Sequence, residues 1–178
     1  MKKVAILTVA FMMLCINTVF AHQLTRISDE GAYTIYQRIY EINNNKNSNK
    51  LIMTDLQKAS NQSPDGLYVS YIFSYGDEVT EQMLVNGEGY VSAVNISCPT
   101  GQVYVNYASK LLAMTGAALG ISFEELDAMM NSMASNSDGT RFLSNKIYID
   151  NTNRYVSLGY GLQKNSGKLV YTLMAWDD

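Results

Sequence analysis

The apolar and polar positions near the start of the chain predict two helices. Isoleucines and tyrosines recur at helical spacing over residues 28–43, and Ser28 precedes them as the expected N-cap, with acids in the first turn. The asparagine-rich run over 43–49 is a polar break. A second, shorter helix is predicted over 50–59. Both helices are expected to precede the first strand.

Two further helices are predicted in the middle of the chain, over 108–119 and 122–134. Gly120 suits the position after a helix C-terminus, where a left-handed backbone is common. Ser122 and Glu125 are three residues apart and form a capping box that starts the second of these helices. The apolar side chains expected on its buried face are Phe123, Leu126, Met130 and Met133.

Alternating apolar and polar residues predict strands on both sides of the middle helices. Asn86-Gly87 has the composition of a tight hairpin turn. The predicted strands are 67–75, 79–85, 90–98 and 103–107 before the middle helices, and 142–149, 154–162 and 168–176 after them. These elements predict an α+β fold, with helices packed on one face of an antiparallel sheet.

The two halves of the chain, 28–107 and 108–178, follow a similar order of elements. Each reads as two helices followed by an antiparallel meander. Their last hairpins, around Asn86-Gly87 and Ser166-Gly167, also share a pattern, although few residues are identical. Two interpretations stay open: an internal duplication into two ααβββ halves, or a turn that recurs without common origin.

The first 21 residues have the three parts of a secretory signal peptide. Lys2 and Lys3 precede the apolar run 4–16, and Val19-Phe20-Ala21 fits the small-x-small rule for cleavage. The run is shorter than the about 20 residues of a membrane-spanning helix. We therefore expect a protein that starts at His22, keeps no membrane anchor, and is periplasmic or secreted in a bacterium. The short basic start favours a Gram-negative one.

The composition excludes several classes of partner. Residues 22–178, expected to form a single domain, have a net charge of −5, because the leader carries two of the 13 basic residues and none of the 16 acidic ones. That charge excludes the basic surfaces that bind nucleic acid or anionic lipid. Residues 116–122 resemble the turn of a helix-turn-helix DNA reader, but the helix that follows carries acids instead of Lys or Arg.

Histidine and cysteine are too scarce for most catalytic sites. His22 is the one histidine, and Cys98 is the one cysteine outside the leader. A Ser or Cys nucleophile would lack its usual histidine base, and no intramolecular disulfide can form. Cys98 shares a strand face with apolar residues and is expected to be a buried thiol. No cofactor or metal is expected, since Met129, Met130 and Met133 fit a helix interior better than a Cu(I) site.

Carboxylates are the remaining catalytic candidates. Glycoside hydrolysis needs only two acids about 5 to 10 Å apart, and sequence does not reveal that distance. The candidates are Glu124, Glu125 and Asp127 in the first turns of a helix, and Asp77, Glu78 and Glu81 around a hairpin turn. Both groups are expected to be solvated surface.

The helix pairs and three-stranded meanders resemble the architecture of the β-lactamase-inhibitor proteins and of the small outer-membrane assembly lipoproteins. Gly120-Ile121-Ser122, followed by Glu125 and Leu126, is similar to the Gly-hydrophobic-Ser/Thr helix start of those families. The chain lacks the lipobox of the lipoproteins and the disulfides of the inhibitors. The resemblance implies protein–protein binding through the open face of the sheet, and it carries no functional residue over.

The expected function is that of an exported, non-enzymatic domain that binds another protein, as an inhibitor, an immunity-type neutraliser or an envelope assembly factor. A carboxylate-dependent enzyme acting on envelope glycans and a small-ligand carrier are the alternatives. Amphipathic aromatic residues are the usual anchors of such an interface. The candidate partner-binding residues are Tyr68, Tyr104, Tyr155, Tyr171 and Trp176.

Overall fold

The computed structural model describes residues 24–45, 50–62, 66–136, 139–163 and 166–176, without the side chains of 61 and 62. The predicted signal peptide and His22 lie outside this part of the chain. Within it, three helices and a nine-stranded antiparallel sheet form an α+β fold, as predicted. None of the described helices is both long and apolar enough to cross a membrane.

The elements are bounded as follows. The helices are α1 (Ala32–Asn45), α2 (Gln102–Ala118) and α3 (Phe123–Asn131). The strands are β1 (Gln57–Gln62), β2 (Val69–Tyr75), β3 (Val79–Val85), β4 (Val91–Pro99), β5 (Ala134–Ser135), β6 (Arg141–Leu143), β7 (Ile147–Ile149), β8 (Arg154–Gln163) and β9 (Lys168–Trp176).

The strands form one sheet in the order β1-β2-β3-β4-β9-β8-β6-β5, with β7 also paired to β8. The β4–β9 pair lies at its centre and joins the two halves of the chain. The segment before α1 crosses one end of that pair, where Thr25 forms a bridge with Ala175. Nearby, the Ile27 N–H donates to the Val91 carbonyl oxygen at 2.8 Å. The start of the described chain is therefore attached to both central strands.

The three helices pack on one face of the sheet, called the helix face below. Its alternating positions on β2, β3 and β4 include Phe73, Met83 and Val94, which meet Ile39 of α1 and Leu111 of α2 in one apolar core. Fully burying a side chain of this size stabilises the fold by about 1.5–3 kcal/mol. The apolar face of these strands is thus the face on which the helices dock.

The predicted capping signals at the α2–α3 corner are confirmed. Gly120 has φ +82°, which suits glycine because it carries no Cβ. The Ser122 hydroxyl accepts from the Glu125 N–H at 3.2 Å, and the Glu125 carboxylate accepts from the Ser122 N–H at 2.7 Å. Both hydrogen bonds of the capping box are therefore formed, and α3 starts at the predicted position.

The helix predicted over 50–59 is wrong. Residues 50–56 run along β2 instead, and β1 follows as an edge strand. The Thr54 N–H donates to the Ser74 carbonyl oxygen at 3.0 Å, and the Gly76 N–H donates to the Ile52 carbonyl oxygen at 2.8 Å. Hydrogen bonds to a neighbouring strand replace those of a helix. The first half therefore has one described helix before its strands, so the two halves do not both follow ααβββ.

The strand predicted over 103–107 is also wrong, because these residues are the first turns of α2. The Gly101 carbonyl oxygen accepts from the N–H groups of Tyr104 and Val105, both at 3.0 Å. α1 likewise differs at its start, since it begins at Ala32 and Ser28 instead accepts a bond from the Glu30 N–H. The β-branched and aromatic residues at 103–107 favour a strand locally, but the N–H groups of Tyr104 and Val105 bond to the preceding turn instead.

The buried face predicted for α3 is partly wrong. Leu126 is buried and Met133, beyond the helix end, packs against the core, as expected. Met129 occupies the fully buried position, whereas Phe123 is 73% exposed and Met130 is also exposed. The helix ends at Asn131 instead of 134 and rests on the core along a narrower stripe. Phe123 thus marks a solvent-facing surface of the protein.

Candidate binding cleft

The sheet face opposite the helices, called the second face, carries a row of polar side chains across four strands. The Thr172 hydroxyl donates to Asn95 Oδ1 at 2.8 Å, and Asn95 Nδ2 lies 3.4 Å from Gln82 Oε1. Gln82 Nε2 in turn donates to the Ser70 hydroxyl at 2.9 Å. Ser70, Gln82 and Asn95 are buried. Each buried amide in this row therefore has a partner, as buried polar groups require.

Beside the polar row, the second face carries a small apolar cluster that leads to a cleft. The buried members of the cluster are Leu24, Tyr68, Leu84, Ala93 and Met174, with Trp176 packed against them. The Tyr68 hydroxyl donates to the Leu24 carbonyl oxygen at 3.2 Å. This contact holds the start of the described chain against the sheet and gives the cleft its floor.

The cleft has a volume of about 980 Å³ and lies at the end of the second face. It is built by the segment before α1, the residues just before β2, the β3–β4 turn, the β7–β8 hairpin and the end of β9. The side chains that give it its chemical character are Arg26, Tyr68, Tyr148, Arg154, Tyr155 and Trp176. Its volume is at the upper end of the range for small-molecule pockets, so it has room for a segment of a larger partner.

The aromatic wall of the cleft is held by hydrogen bonds and ring contacts. Trp176 donates its indole N–H to the Ser157 hydroxyl at 2.5 Å, and the Lys146 ammonium lies 5.3 Å from its ring centre. The rings of Tyr148 and Tyr155 meet edge to face, with their centres 5.2 Å apart. Aromatic rings fixed in this way lose little conformational freedom when a partner binds, which favours an anchoring role.

The β7–β8 turn places Arg154 beside these rings. Asn153 has φ +54°, a left-handed conformation that asparagine tolerates better than most residues. Its side-chain oxygen accepts a bond from the Tyr148 hydroxyl, and its carbonyl oxygen accepts one from Arg154 Nη1 at 2.8 Å. Residues 150–153 form the turn between the predicted strands 142–149 and 154–162. Asn153 thus holds Tyr148 and Arg154 of the cleft in place.

The predicted partner-binding residues are divided between the two sides of the sheet. Tyr68, Tyr155 and Trp176 line the cleft. Tyr171 is buried on the helix face, and Tyr104 lies on α2, packed against the core. Strand phase separates the two β9 residues, because positions 171 and 176 point to opposite faces of the sheet. The same alternation in the sequence could have removed Tyr171 from the candidates.

Sequence reasoning missed Arg26, Tyr148 and Arg154. Tyr148 and Arg154 lie on the two strands of the β7–β8 hairpin. Arg26 joins them only where that hairpin meets the segment before α1 at the end of the sheet. Local pattern therefore offered no signal for the arginines. The tyrosine-rich strands were the sole hint that this end of the sheet would be aromatic.

Glu81 is the clearest correction to the expected surface acids. It lies on the helix face of β3 with no exposed surface, while Asp77 and Glu78 in the adjacent turn are exposed, as predicted. The Thr115 hydroxyl of α2 donates to Glu81 Oε2 at 2.6 Å, and Oε1 has no hydrogen-bond partner in the described structure. Burial raises the pKa of Glu81 to about 8. At neutral pH it is therefore mainly an uncharged acid within the core.

The remaining candidates for chemistry lie away from the cleft. Glu124 and Asp127 are exposed on α3, and Glu125 belongs to the capping box. The described lining of the cleft contains a single acid, Glu88. Among the described residues, no three His, Cys, Asp or Glu side chains are grouped to hold a metal ion. Cys98 is buried, as predicted, and burial raises the pKa of its thiol.

Comparison with known proteins identifies no relative of the chain. No protein-family model matches the chain, and neither the curated proteins nor the solved structures compared with it give a significant match. The resemblance to inhibitor proteins and assembly lipoproteins therefore stays a prediction.

Proposed function

We propose that this chain is an exported, non-enzymatic domain that binds another protein through the cleft. The observation that carries the proposal is the meeting of Tyr68, Tyr155 and Trp176 with Arg26 and Arg154 in one concave site. Trp, Tyr and Arg are the residues that most often dominate the binding energy of protein interfaces. Inhibitor, immunity-type neutraliser and envelope assembly factor all fit this class.

The composition of the cleft supports binding over the two alternatives. A glycan-acting enzyme would place two facing acids in its cleft, whereas Glu88 of the described lining and Asp29 at the rim are both paired with Arg26. A carrier would enclose its ligand between the sheet and the helices, whereas this cleft opens at the other face. Export, predicted from the first 21 residues, would place the partner in the periplasm or outside the cell.

Affinity capture with matched variants tests the proposal. The full-length gene is expressed with a C-terminal tag in the source bacterium, and captured proteins are quantified for wild type, Trp176→Ala and Phe123→Ala. Phe123 is the control because it is exposed on α3, outside the lining of the cleft. We expect Trp176→Ala to lose a partner that Phe123→Ala retains, by roughly tenfold or more.

Two results would contradict the proposal. One is a partner captured equally by wild type and both variants, which would place binding elsewhere. The other is capture of no protein together with turnover of a purified envelope glycan, which would favour the enzyme. Thermal unfolding of each variant shows that any loss of capture does not come from a loss of fold.

A further inference from the structure

The charges of the cleft are arranged with cations inside and anions at the rim. The side chains of Arg154 and Arg26 are 22% and 36% exposed, whereas those of Asp29 and Glu88 are 65% and 69% exposed. The arginine side chains are thus more withdrawn from water than the acids, and an ion pair away from water is stronger than one in bulk solvent. The acids remain solvated and are the more easily displaced partners.

Arg154 has donors that its described contacts leave unused. Nη1 donates to the Asn153 carbonyl oxygen at 2.8 Å. Nη2 lies 3.6 Å from Asp29 Oδ1, which is an ion pair but too long for a hydrogen bond. A guanidinium offers five N–H donors in a plane that matches a carboxylate. Arg154 is therefore prepared to accept a better-placed anion.

Asp29 holds the two arginines together through a single oxygen. Arg26 Nε lies 2.8 Å from Asp29 Oδ1, the same atom that Arg154 approaches. Arg26 also makes a cation–π contact, since its guanidinium lies 4.9 Å from the ring centre of Tyr90. Asp29 itself lies in the irregular segment before α1, and exposed ion pairs of this kind are weak. It can leave the arginines at little cost.

From these contacts we propose that the cleft binds an acidic segment of the partner protein, one of whose carboxylates takes the place of Asp29 between Arg26 and Arg154. The inference rests on the proposed function and adds the chemistry of the partner. The rings of Tyr148, Tyr155 and Trp176 supply the wall against which the rest of the segment lies. Asp29 acts as an internal competitor that occupies the arginines when the cleft is empty.

Peptide binding tests this directly, and Trp176 is a built-in reporter because the chain has one tryptophan. The probe is a labelled octapeptide of alternating Glu and Gly, compared with the same peptide carrying Gln. Free acetate at equal carboxylate concentration separates a peptide ligand from a simple anion. We expect the Glu peptide to quench or shift Trp176 fluorescence, to bind at least tenfold more tightly than the Gln peptide, and to weaken with added salt.

Two variants are expected to change the affinity in opposite directions. Arg154→Gln removes a cation and should weaken the Glu peptide about tenfold, whereas Asp29→Asn removes the competitor and should strengthen it severalfold. Glu124→Gln on α3 removes an equal charge away from the cleft and should leave the affinity unchanged. Opposite signs cannot arise from a general loss of fold.

The inference is overturned if the Glu and Gln peptides bind equally, if neither binds at roughly millimolar concentration, or if Asp29→Asn fails to strengthen binding. Acetate that binds as tightly as the Glu peptide would show that the site is one for small anions, and this result would also overturn the inference. Each of these results leaves the proposed function standing when capture still depends on Trp176. If Trp176→Ala captures the partner as well as wild type does, the proposed function itself is contradicted.

Discussion

A row of polar side chains on one face of the sheet and a lone acid on the other are buried in different ways. On the second face, Thr172, Asn95, Gln82 and Ser70 form a continuous chain of hydrogen bonds across four strands. On the helix face, Glu81 accepts one hydrogen bond, from the Thr115 hydroxyl, and its other carboxylate oxygen has no partner in the described structure. A buried polar group costs little when it is bonded and much when it is not.

The difference separates a pH-independent face from a pH-dependent one. None of the four side chains of the polar row is ionisable near neutral pH, so its contribution does not depend on protons. Glu81 fits the apolar core only while it keeps its proton. The polar row beside the cleft thus contributes at every pH, and Glu81 makes the core beneath the helices the part that responds to pH.

The largest effect is expected from the titration of Glu81. The native protein holds the proton until pH about 8, whereas the unfolded chain releases it near the ordinary pKa of 4.5. The free energy of unfolding should therefore fall as pH rises between these values, by about 5 kcal/mol in all, and level off above them. Urea unfolding from pH 5 to 9 measures this fall.

Glu81→Gln is the matched variant for that titration, because it keeps the shape and removes the ionisation. The variant should lose most of the pH dependence and be more stable than wild type at pH 9. Parallel pH profiles for wild type and Glu81→Gln would show that Glu81 does not remain protonated in the native core.

A smaller effect, without pH dependence, is expected from breaking the polar row. Asn95→Ala leaves Gln82 and Thr172 without their shared partner and should cost about 2–4 kcal/mol at every pH from 5 to 9. Ser97→Ala, on the same strand and face, is the control, since its buried hydroxyl has no hydrogen-bond partner in the described structure. If Ser97→Ala lowers the free energy of unfolding as much as Asn95→Ala, the hydrogen bonds of the polar row do not stabilise the fold.

The smallest effect is expected at Thr115. Thr115→Val removes the hydrogen bond to Glu81 and should cost about 1 kcal/mol near pH 5. That bond lowers the pKa of Glu81, so its loss should raise the pKa and extend the fall in stability to higher pH. A Thr115→Val profile that levels off at the same pH as wild type would show that the hydroxyl does not stabilise the ionised carboxylate.

The central strands were the most predictable part of the fold. β3 begins and ends at the predicted residues, Val79 and Val85, because alternation and two turns define it locally. The segment 50–59 failed because its hydrogen-bond partners on β2 follow about twenty residues later along the chain. Local periodicity does not reveal pairing between distant segments, so the sequence of this weakly alternating edge segment predicts a helix.

The site was less predictable than the fold. Trp176 and Tyr155 were found because they stand on strands with clear alternation, but Arg26 and Arg154 come from opposite ends of the chain. Glu81 was within reach, since it alternates with Val79 and Met83 on a strand whose other face is polar at Gln82. Because the acids Asp77 and Glu78 lie in the adjacent turn, Glu81 was grouped with them and predicted to be exposed, although its strand position is apolar.

The central claim is that a partner protein contacts the cleft, and site-specific photocrosslinking tests it most directly. Benzoylphenylalanine replaces Tyr148, an exposed ring of the cleft lining, or Phe123 on α3 as the control, in the tagged full-length protein. Cells are irradiated and the adducts are identified by mass spectrometry. We predict one dominant protein adduct at position 148 that is absent at 123. Identical adducts at both positions, or adducts at 123 alone, would contradict the claim.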